Sequence, residues 1–443
     1  MSSLANKAEK YRDIIVAAQE YIWKNPETGY REWKTTKYLE EQYEKLGYKL
    51  NKAGDIPGFT VEIDTGKAGP TLLVLGELDS LICPNHPEAD KETGAVHCCG
   101  HSAQSAALLG VAAALSEPDA LDGLSGKIRL CAVPAEELIE IEYRNELIKN
   151  GTIKYYGGKG EFLRRGFFDG VDLAFMVHTS SYNGVSAGSV GCRAKKISYK
   201  GVSAHAGGSP WNGVNALYAA TNGISAANAM RETFTEADLI RFHPIITHGG
   251  EAVNAIPELV TIEAYVRGKT FEAIEKANTK INRALIGAAL SIGAKIEIDD
   301  MPGYSPLVNS EGMKEMCRDA FKAVFPDEEF GWGTHTGTGS TDMGDLAMIM
   351  PAVHPYCAGA TGTSHGMDYY IDPEKACVGS AKWQLEMIYT LLSGGAERAK
   401  RIVEGFEPVF KSKEEFLSYL DSVQLHGDRI RYSDDGSAVV RWK

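Results

Sequence analysis

The sequence carries four groups of side chains that can bind metal ions, three of them expected beside the end of a helix or strand and one in a glycine-rich loop. They are Cys99 with His101 in HCCGH, the pair Glu136 and Glu137 in PAEE, His178, and His365 in GTSHG. Thiolate, imidazole and carboxylate together suit zinc, manganese or cobalt. A pair of such ions can activate and orient a water for attack on an amide. One of two adjacent carboxylates could bind metal while the other takes the proton of the water.

Each group also has an ordinary structural interpretation. Free cysteine is often a buried apolar residue, and adjacent carboxylates usually lie on a solvated surface. A histidine that ends an apolar strand can be a hydrogen-bonded core residue, and one in a glycine-rich loop can simply fill the loop. Cys98 beside Cys99 also admits a redox pair, although a bridge between adjacent cysteines strains the peptide. No single group decides between these interpretations.

The elements around these residues alternate between strand and helix. TLLVLGELD is almost continuously apolar, AQSAALLGVAAALSE predicts a helix, KIRLCAVPAEE a strand that ends in carboxylates, and VDLAFMVH a strand that ends in a histidine. This order is typical of an α/β fold with a mostly parallel sheet and helices on both faces. Catalytic groups in such folds gather beyond the carboxyl ends of the strands. We therefore expect the candidate ligands to meet at one edge of the sheet.

The pattern changes near residue 193. CRAKKISYKG alternates polar and apolar residues, and the segments after it follow the order β-α-β-β-α-β, which is the ferredoxin-like arrangement. We expect a catalytic domain formed by residues 1–192 and 304–443, and an inserted domain formed by 193–303. No role can be assigned to the charged segment after about residue 395.

Composition excludes several classes of protein. The chain has 443 residues and a formal net charge of −13, which argues against a nucleic-acid partner. It has no apolar run long enough for a transmembrane helix and no pattern of a signal peptide, so no membrane association is expected. Its eight cysteines are spread without a regular framework, which indicates a reduced, cytoplasmic protein.

The chain resembles the aminoacylase and carboxypeptidase type of di-metal metallopeptidases. The resemblance is to the amidohydrolase branch with hippurate hydrolases and indole-acetyl-amino-acid hydrolases, and within it to p-aminobenzoyl-glutamate hydrolases and aminoacyl-lysine dipeptidases. It extends from NPETGYREW to about residue 395 and rests on GELDSL, HCCGH, PAEE, FDGVDLAFMVH, GVSAHAGGSPWNGVNAL, GGEAVNAIPELVTIEAYVRG, GSTDMGDLAMIMP and GTSHG.

The resemblance implies a role for each candidate. The ligands of two divalent cations, manganese or zinc, would be Cys99, His101, Glu137, His178 and His365, with Cys99 bridging as thiolate. Glu136 would be the general base that takes a proton from the attacking water and later gives it to the leaving amine. Asp79 would orient a ligand imidazole. His205 would reach the site of a partner subunit and stabilise the oxyanion, because the inserted domain dimerises in this family.

The resemblance also implies a substrate. It would be an N-acyl or N-aroyl amino acid of the p-aminobenzoyl-glutamate kind, cleaved at its amide bond. Asn254, Arg267 and Ser340 are candidate substrate contacts, Ser340 within the glycine-rich wall GTHTGTGSTDMGD. For Asn254 and Arg267, a turn asparagine and a surface arginine are the ordinary alternatives. The rival functions are a dipeptidase for unblocked dipeptides, an inactive relative that binds amides, and the redox protein.

Three departures from the family pattern stand out. After CGH, the family usually has an aspartate with a histidine two residues later, or an asparagine followed by LLG. This chain has Ser102 and Gln104 there, and serine cannot supply the negative charge of aspartate. An insertion, IEIEYRNELIKNGTIKYY, follows the glutamate pair and either shapes the substrate pocket or is a solvated surface excursion. The charged segment after about residue 395 is absent from shorter relatives.

Overall fold

The structure, a computed structural model, describes residues 1–442. The helices are α1 Ser3–Asn6, α2 Arg12–Trp23, α3 Trp33–Lys45, α4 His101–Leu115, α5 Ile141–Lys149, α6 Gly158–Arg164, α7 Ala216–Asn228, α8 Phe271–Ile292, α9 Glu311–Val324, α10 Met343–Ala347, α11 Ser380–Leu392, α12 Glu397–Glu404 and α13 Lys413–Ser422. Within residues 1–442, none of them has both the length and the apolar character needed to cross a bilayer.

The strands range from two to ten residues. They are β1 Asn51–Lys52, β2 Phe59–Asp64, β3 Thr71–Glu77, β4 Leu81–Ile82, β5 Ala95–Val96, β6 Lys127–Val133, β7 Leu173–Phe175, β8 His178–Ser180, β9 Gly184–Val185, β10 Gly188–Ser189, β11 Gly191–Lys200, β12 Arg241–His248, β13 Leu259–Gly268, β14 Lys295–Tyr304, β15 Leu307–Val308, β16 Gly331–Trp332, β17 Thr336–Gly337, β18 Ala352–Val353, β19 Tyr356–Ala358, β20 Ala360–Thr361, β21 Tyr370–Ile371, β22 Ile430–Tyr432 and β23 Ala438–Val440.

The first large sheet has six strands in the order β1-β2-β6-β3-β7-β18. Its last four strands in this order, β6, β3, β7 and β18, run parallel to one another. Strand β2 is antiparallel to both of its neighbours, β1 and β6. The sheet is therefore mixed, with a parallel half that carries the site.

Both faces of this sheet are covered by helices. On β3, Leu72 and Val74 belong to a core with α2, α4 and α11, while Leu73 and Leu75 belong to a second core with α6, α10 and α13. Successive side chains of a strand point to opposite faces, so a strand with helices on both faces must be apolar at every position. This explains why the segment TLLVLGELD, which contains β3, is almost continuously apolar.

The second large sheet has four antiparallel strands in the order β12-β13-β11-β14. Helices α7 and α8 pack on it around a core of their own. The chain order β11-α7-β12-β13-α8-β14 is the one predicted from the sequence.

A buried ion pair links β11 and β14 of this second sheet. Lys195 Nζ donates to Asp300 and, at 2.8 Å, to Asn278 Oδ1. The other carboxylate oxygen of Asp300 accepts from Asn278 and Asn282 at 2.8 and 2.9 Å. Lys195 and Asp300 are both fully buried, so their charges depend on one another.

Two local features differ from the sequence-based expectation. Residues 4–23 carry one helical apolar period in the sequence, but the structure interrupts it with a tighter 3₁₀ turn at Lys7–Tyr11. The predicted strand ending at His178 stops at Phe175, and His178 begins β8, which pairs with β19 in a different sheet. The last residue of β7 that pairs with β3 and β18 is Phe175, and the chain leaves that sheet before it reaches His178.

The insertion and the C-terminal segment are both packed into the structure. Ile141 and Arg144 of the insertion are 1% exposed, so a solvated excursion is the wrong interpretation for these residues. Phe416 of α13 lies in the core beneath the first sheet, and Ile430 lies in the core of the second sheet. The segment after residue 395 thus contacts both sheets.

We expect Lys195→Met to lower the free energy of unfolding by about 3–5 kcal/mol, because it leaves the Asp300 charge buried without a counter-ion. Lys200→Met is the matched control, since Lys200 pairs with Glu297 at a position where its side chain is 43% exposed and such pairs contribute about 0–1 kcal/mol. Urea unfolding followed by circular dichroism measures the difference. Equal midpoints for the two variants would show that the buried pair is not needed for stability.

Candidate metal and catalytic site

The site lies beyond the carboxyl ends of β3 and β6. These strands run parallel with Glu77 opposite Val133, so Asp79 and the turn Pro134–Glu137 leave the sheet at the same edge. Helix α4 begins there at His101, after Gly100 in the left-handed region at φ 97°. A Cβ on Gly100 would lie 2.6 Å from the Tyr369 hydroxyl. Glycine therefore allows the tight turn between Cys99 and His101.

The structure brings all five predicted ligands together, in two groups that share Cys99. Potential ligand atoms of Cys99, His101 and His178 lie within 4.8 Å of one another, as do those of Cys99, Glu137 and His365. Within these groups, Cys99 Sγ is 3.5 Å from His178 Nε2, and His365 Nε2 is 3.5 Å from Glu137 Oε1. This arrangement offers two neighbouring positions with one sulfur between them.

The donor atoms fit a pair of divalent cations. Glu137 Oε1 is buried and has no hydrogen-bond partner among residues 1–442, and such an atom is costly unless something binds it. His101 Nε2 is also buried, and it faces the carboxylate of Glu77 at 3.2 Å without the geometry of a hydrogen bond. Burial, together with the charge of Glu137, raises the pKa of the Cys99 thiol well above its usual value. A coordinating cation would remove that proton.

Backbone and carboxylate groups orient the imidazoles. His101 Nδ1 lies 3.0 Å from the Asp79 carbonyl oxygen and 3.2 Å from Asp79 Oδ1. His178 Nδ1 lies 2.7 Å from the Thr179 carbonyl oxygen. Donation from Nδ1 leaves the Nε2 lone pair free for a metal. The other Asp79 oxygen accepts from the Glu137 amide at 2.7 Å, so Asp79 fixes two of the predicted ligands.

Glu136 lines the cavity next to the predicted ligands. Its Oε2 is 3.9 Å from His101 Nε2, and its side chain is 11% exposed. Burial raises the pKa of Glu136 well above its usual value, and the charges of Glu77 and Glu137 raise it further. A carboxylate with a raised pKa at the edge of a cavity suits proton transfer near neutral pH.

Glu77 and Lys159 also belong to the site, and sequence reasoning missed both. Glu77 Oε2 lies 3.2 Å from His101 Nε2, and Glu77 Oε1 lies 2.5 Å from Lys159 Nζ. Lys159 also pairs with Asp342. Although burial raises the pKa of Glu77, the charges of Lys159 and His101 lower it to about 2. Glu77 had a signal, since it stands two residues before Asp79 at the end of a strand, but Lys159 had none.

His354 is a further residue that the sequence did not single out. It lines the cavity, and its ring centroid is 5.4 Å from that of His178. Burial, together with the neighbouring His178, lowers the pKa of His354 to about 3. The ring is therefore neutral at physiological pH.

A cavity of about 450 Å³ joins the two sides of the site. Its lining includes Cys99, Glu136, Glu137, His178 and His365, and also Arg267 and Ser340. Arg267 Nη1 is 3.3 Å from Ser340 Oγ and 3.4 Å from the Thr338 carbonyl oxygen. The rings of four tyrosines, Tyr182, Tyr265, Tyr304 and Tyr356, also line the cavity.

His205 and Asn254 do not line this cavity. They lie together on the connections of the second sheet, where the Asn254 carbonyl accepts from the Ala206 amide at 2.9 Å. His205 Nδ1 accepts from the amides of Gly207 and Gly208 at 3.2 and 2.8 Å. Within one chain, neither side chain is placed to touch a substrate.

The residues that depart from the family pattern are buried in α4. Ser102 Oγ and both polar atoms of the Gln104 amide have no hydrogen-bond partner among residues 1–442. Cys98 is also buried, packs with Leu81 and Val96, and is not bonded to Cys99.

Comparison with known proteins places the chain in a family. A family model described as Peptidase family M20/M25/M40 matches residues 73–389. The chain is 25% identical over 436 residues to the Xaa-Arg dipeptidase of Mus musculus, covering 95% of this chain and 93% of that protein. Its fold is similar to that of the YXEP protein of Bacillus subtilis, described as a dinuclear metal binding peptidase, with TM-score 0.63, 20% identity, and 87% and 99% of the two chains covered.

It is similar as well to the aminobenzoyl-glutamate utilization protein of Klebsiella pneumoniae, with TM-score 0.64, 19% identity, and 87% and 98% of the two chains covered. At these identities the two structural likenesses concern the fold, whereas the family match covers more than half of the chain and includes the carboxyl edge of β3, the glutamate pair and His365. The protein therefore belongs to peptidase family M20/M25/M40 and is a hydrolase of peptide or amide C–N bonds.

Proposed function

We propose that the protein is a metal-dependent amidohydrolase that removes the acyl or aroyl group of an N-blocked amino acid, as in p-aminobenzoyl-glutamate. The observation that carries this proposal is one cavity lined by four candidate metal ligands, by the carboxylate of Glu136 and by Arg267, with the fifth candidate ligand, His101, grouped with Cys99 and His178 beside it. A cavity of about 450 Å³ has room for a small amide, and an arginine in its lining suits a product with a free α-carboxylate.

The ligands of the proposed pair of manganese or zinc ions are Cys99, His101, Glu137, His178 and His365. When bound, such a pair polarises the amide carbonyl and lowers the pKa of water. Glu136 takes a proton from the attacking water and delivers it to the leaving nitrogen, which departs as an amine. Asp79 acts through two of the proposed ligands, because its carboxylate holds the His101 imidazole and the Glu137 amide in place.

Arg267 and Ser340, which also line the cavity, would recognise the substrate. Arg267 can form a charge-assisted pair with the α-carboxylate, and Ser340 lies beside its guanidinium. Glu136 and Glu137 are the only carboxylates that line the cavity within residues 1–442, so no further carboxylate awaits a free α-ammonium group. Together with the tyrosine rings, this favours an N-blocked or aroyl substrate.

A dipeptidase for unblocked substrates is the second candidate, and the likeness to the Xaa-Arg dipeptidase of Mus musculus along 95% of the chain favours it. A panel of N-acyl amino acids, p-aminobenzoyl-glutamate and free dipeptides, assayed with manganese and with zinc, separates the two. Higher kcat/KM on free dipeptides would replace the first proposal by the second.

We further propose that residues 193–303 form an inserted unit that pairs two copies of the chain, and that 1–192 with 304–443 form the catalytic unit. Strand β12 is an edge strand of the second sheet, with Ile245 and Ile246 exposed, and such edges readily pair with another chain. His205 then acts in the site of the partner subunit, together with Asn254. We assign this enzyme to the cytoplasm, in keeping with eight unpaired cysteines.

Replacing the base tests the proposed chemistry. We expect Glu136→Gln to lower kcat by about 10²–10⁴-fold, with metal content unchanged, because the amide cannot accept the proton. Glu146→Gln, on the exposed face of α5, is the control and should match the parent. A Glu136→Gln enzyme with parental kcat in the presence of manganese would remove Glu136 from the mechanism.

Replacing Arg267 tests the proposed recognition of the substrate's α-carboxylate. Arg267→Met should lower kcat/KM for an N-acyl amino acid by about 10–100-fold, since a hydrogen bond to a charged group contributes about 1.5–3 kcal/mol. The loss should appear mainly in KM and should vanish for a substrate whose α-carboxylate is replaced by a carboxamide. Arg241→Met is the control, because Arg241 faces Arg267 across the β12–β13 ladder but does not line the cavity. Equal losses on both substrates would contradict carboxylate recognition.

Subunit mixing tests the shared site. Glu136→Gln and His205→Ala chains should each be impaired alone, whereas their unfolded and refolded mixture should recover about a quarter of the parental activity, since half of randomly paired dimers contain one complete site. Light scattering measures the mass of the mixture, and the hydrolysis assay its activity. If His205 serves its own chain, mixing will restore nothing.

A further inference from the structure

The insertion after the glutamate pair carries a buried arginine whose partners are backbone carbonyls. Arg144, on α5, is 1% exposed. Its Nη1 donates to the carbonyl of Tyr156 at 2.5 Å and to that of Ala135 at 3.4 Å, and its Nη2 donates to the carbonyl of Glu137. A buried guanidinium thus gathers three carbonyls, two of them from the turn that bears the glutamate pair.

That turn has an unusual backbone held from two sides. Ala135 adopts φ 59°, in the left-handed region that a residue with a Cβ rarely occupies. Its amide donates to Glu32 Oε1 at 2.7 Å, and the Glu137 amide donates to Asp79 Oδ2 at 2.7 Å. Carboxylates therefore fix the N–H groups of the turn, while Arg144 fixes its carbonyls.

A glycine near the N-terminus makes room for this contact. A Cβ on Gly29 would lie 2.5 Å from Arg144 Nη2 and 3.0 Å from the Ala135 Cα. The glycine of NPETG is therefore required by the close approach of the guanidinium and the turn. This contact joins the N-terminal segment, the insertion and the catalytic turn at one point.

Helix α5 is itself anchored on its opposite side. The Glu142 amide donates to Glu263 Oε1 on β13 at 3.1 Å, and the Glu142 carboxylate pairs with Lys196 on β11 at 2.9 Å. Arg144 thus extends from a helix held against the second sheet, which makes it a rigid support.

We infer that Arg144 is a positioning residue, which sets the backbone of the turn and thereby the directions of the Glu136 and Glu137 side chains. The roles of these two carboxylates rest on the proposed function, but the effect of Arg144 on the turn does not. Without the guanidinium, three carbonyls lose a donor in a buried place, and the turn is free to relax toward a commoner backbone conformation.

The test compares Arg144→Met, Arg144→Lys and Gly29→Ala with Arg129→Met. Arg129 is the matched control, since its guanidinium also donates to two carbonyls, those of Phe167 and Asp169 at 3.0 and 2.8 Å, near the start of β6 and away from the site. Three quantities are measured: hydrogen exchange of the amides of residues 135–137 in metal-free protein, affinity for Mn²⁺ by chelator competition, and the kinetic constants.

We expect Arg144→Met to accelerate exchange in the turn, and to weaken Mn²⁺ binding and lower kcat by about 10–100-fold each, with KM near that of the parent. Arg144→Lys should lie between, because an ammonium group cannot span the fork of carbonyls. Gly29→Ala should reproduce the exchange and Mn²⁺ effects, and it decides the question if Arg144→Met does not fold.

The inference is overturned if the Arg144 and Gly29 variants behave as Arg129→Met does in exchange and Mn²⁺ affinity. A parent that binds Mn²⁺ but hydrolyses no amide of the panel contradicts the proposed function alone, and the exchange and affinity results still decide the role of Arg144. A parent without Mn²⁺ affinity leaves the exchange of the metal-free turn to decide it.

Discussion

One buried carboxylate, that of Asp79, holds the site together. It binds the His101 imidazole at the start of α4 and the Glu137 amide after β6, while its own backbone continues from β3. Three elements are therefore fixed to one another at the carboxyl edge of the sheet. A parallel sheet brings those ends together, but only a hydrogen-bonded acid at this point sets the distance between the helix and the turn.

The same edge concentrates negative charge in a place with little solvent. Glu77, Asp79, Glu136 and Glu137 are all buried, and Lys159 is a buried cation that pairs with Glu77. Burying uncompensated carboxylates is costly, so bound cations would stabilise the folded chain as well as serve the reaction. Ser102 carries no charge, but Glu77 and Asp79 already place negative charge against His101.

Periodicity predicted the α/β elements around the site and the order of elements of the second sheet, and the family resemblance supplied the five candidate ligands that the structure brings together. They could not predict Lys159 or Arg144, because the partners of such residues are distant in sequence or are backbone carbonyls: Lys159 lies 82 residues from Glu77 and 183 from Asp342. The placement of His178 in a separate sheet was also missed, since β8 has three residues and so short a strand has no measurable period. The C-terminal hairpin was missed because its packing partner, the second sheet, ends more than a hundred residues earlier.

In the proposed function, Cys99, His101, Glu137, His178 and His365 would hold two divalent cations, with the Cys99 sulfur available to both groups of ligands. Anomalous X-ray diffraction from crystals of the manganese-loaded protein measures this directly, because it locates each metal independently of the polypeptide. We expect two peaks, both within bonding distance of Cys99 Sγ. One should lie beside His101 and His178, and the other beside Glu137 and His365. A single peak, or a pair of peaks with Cys99 outside both coordination spheres, would contradict the proposed pair of cations.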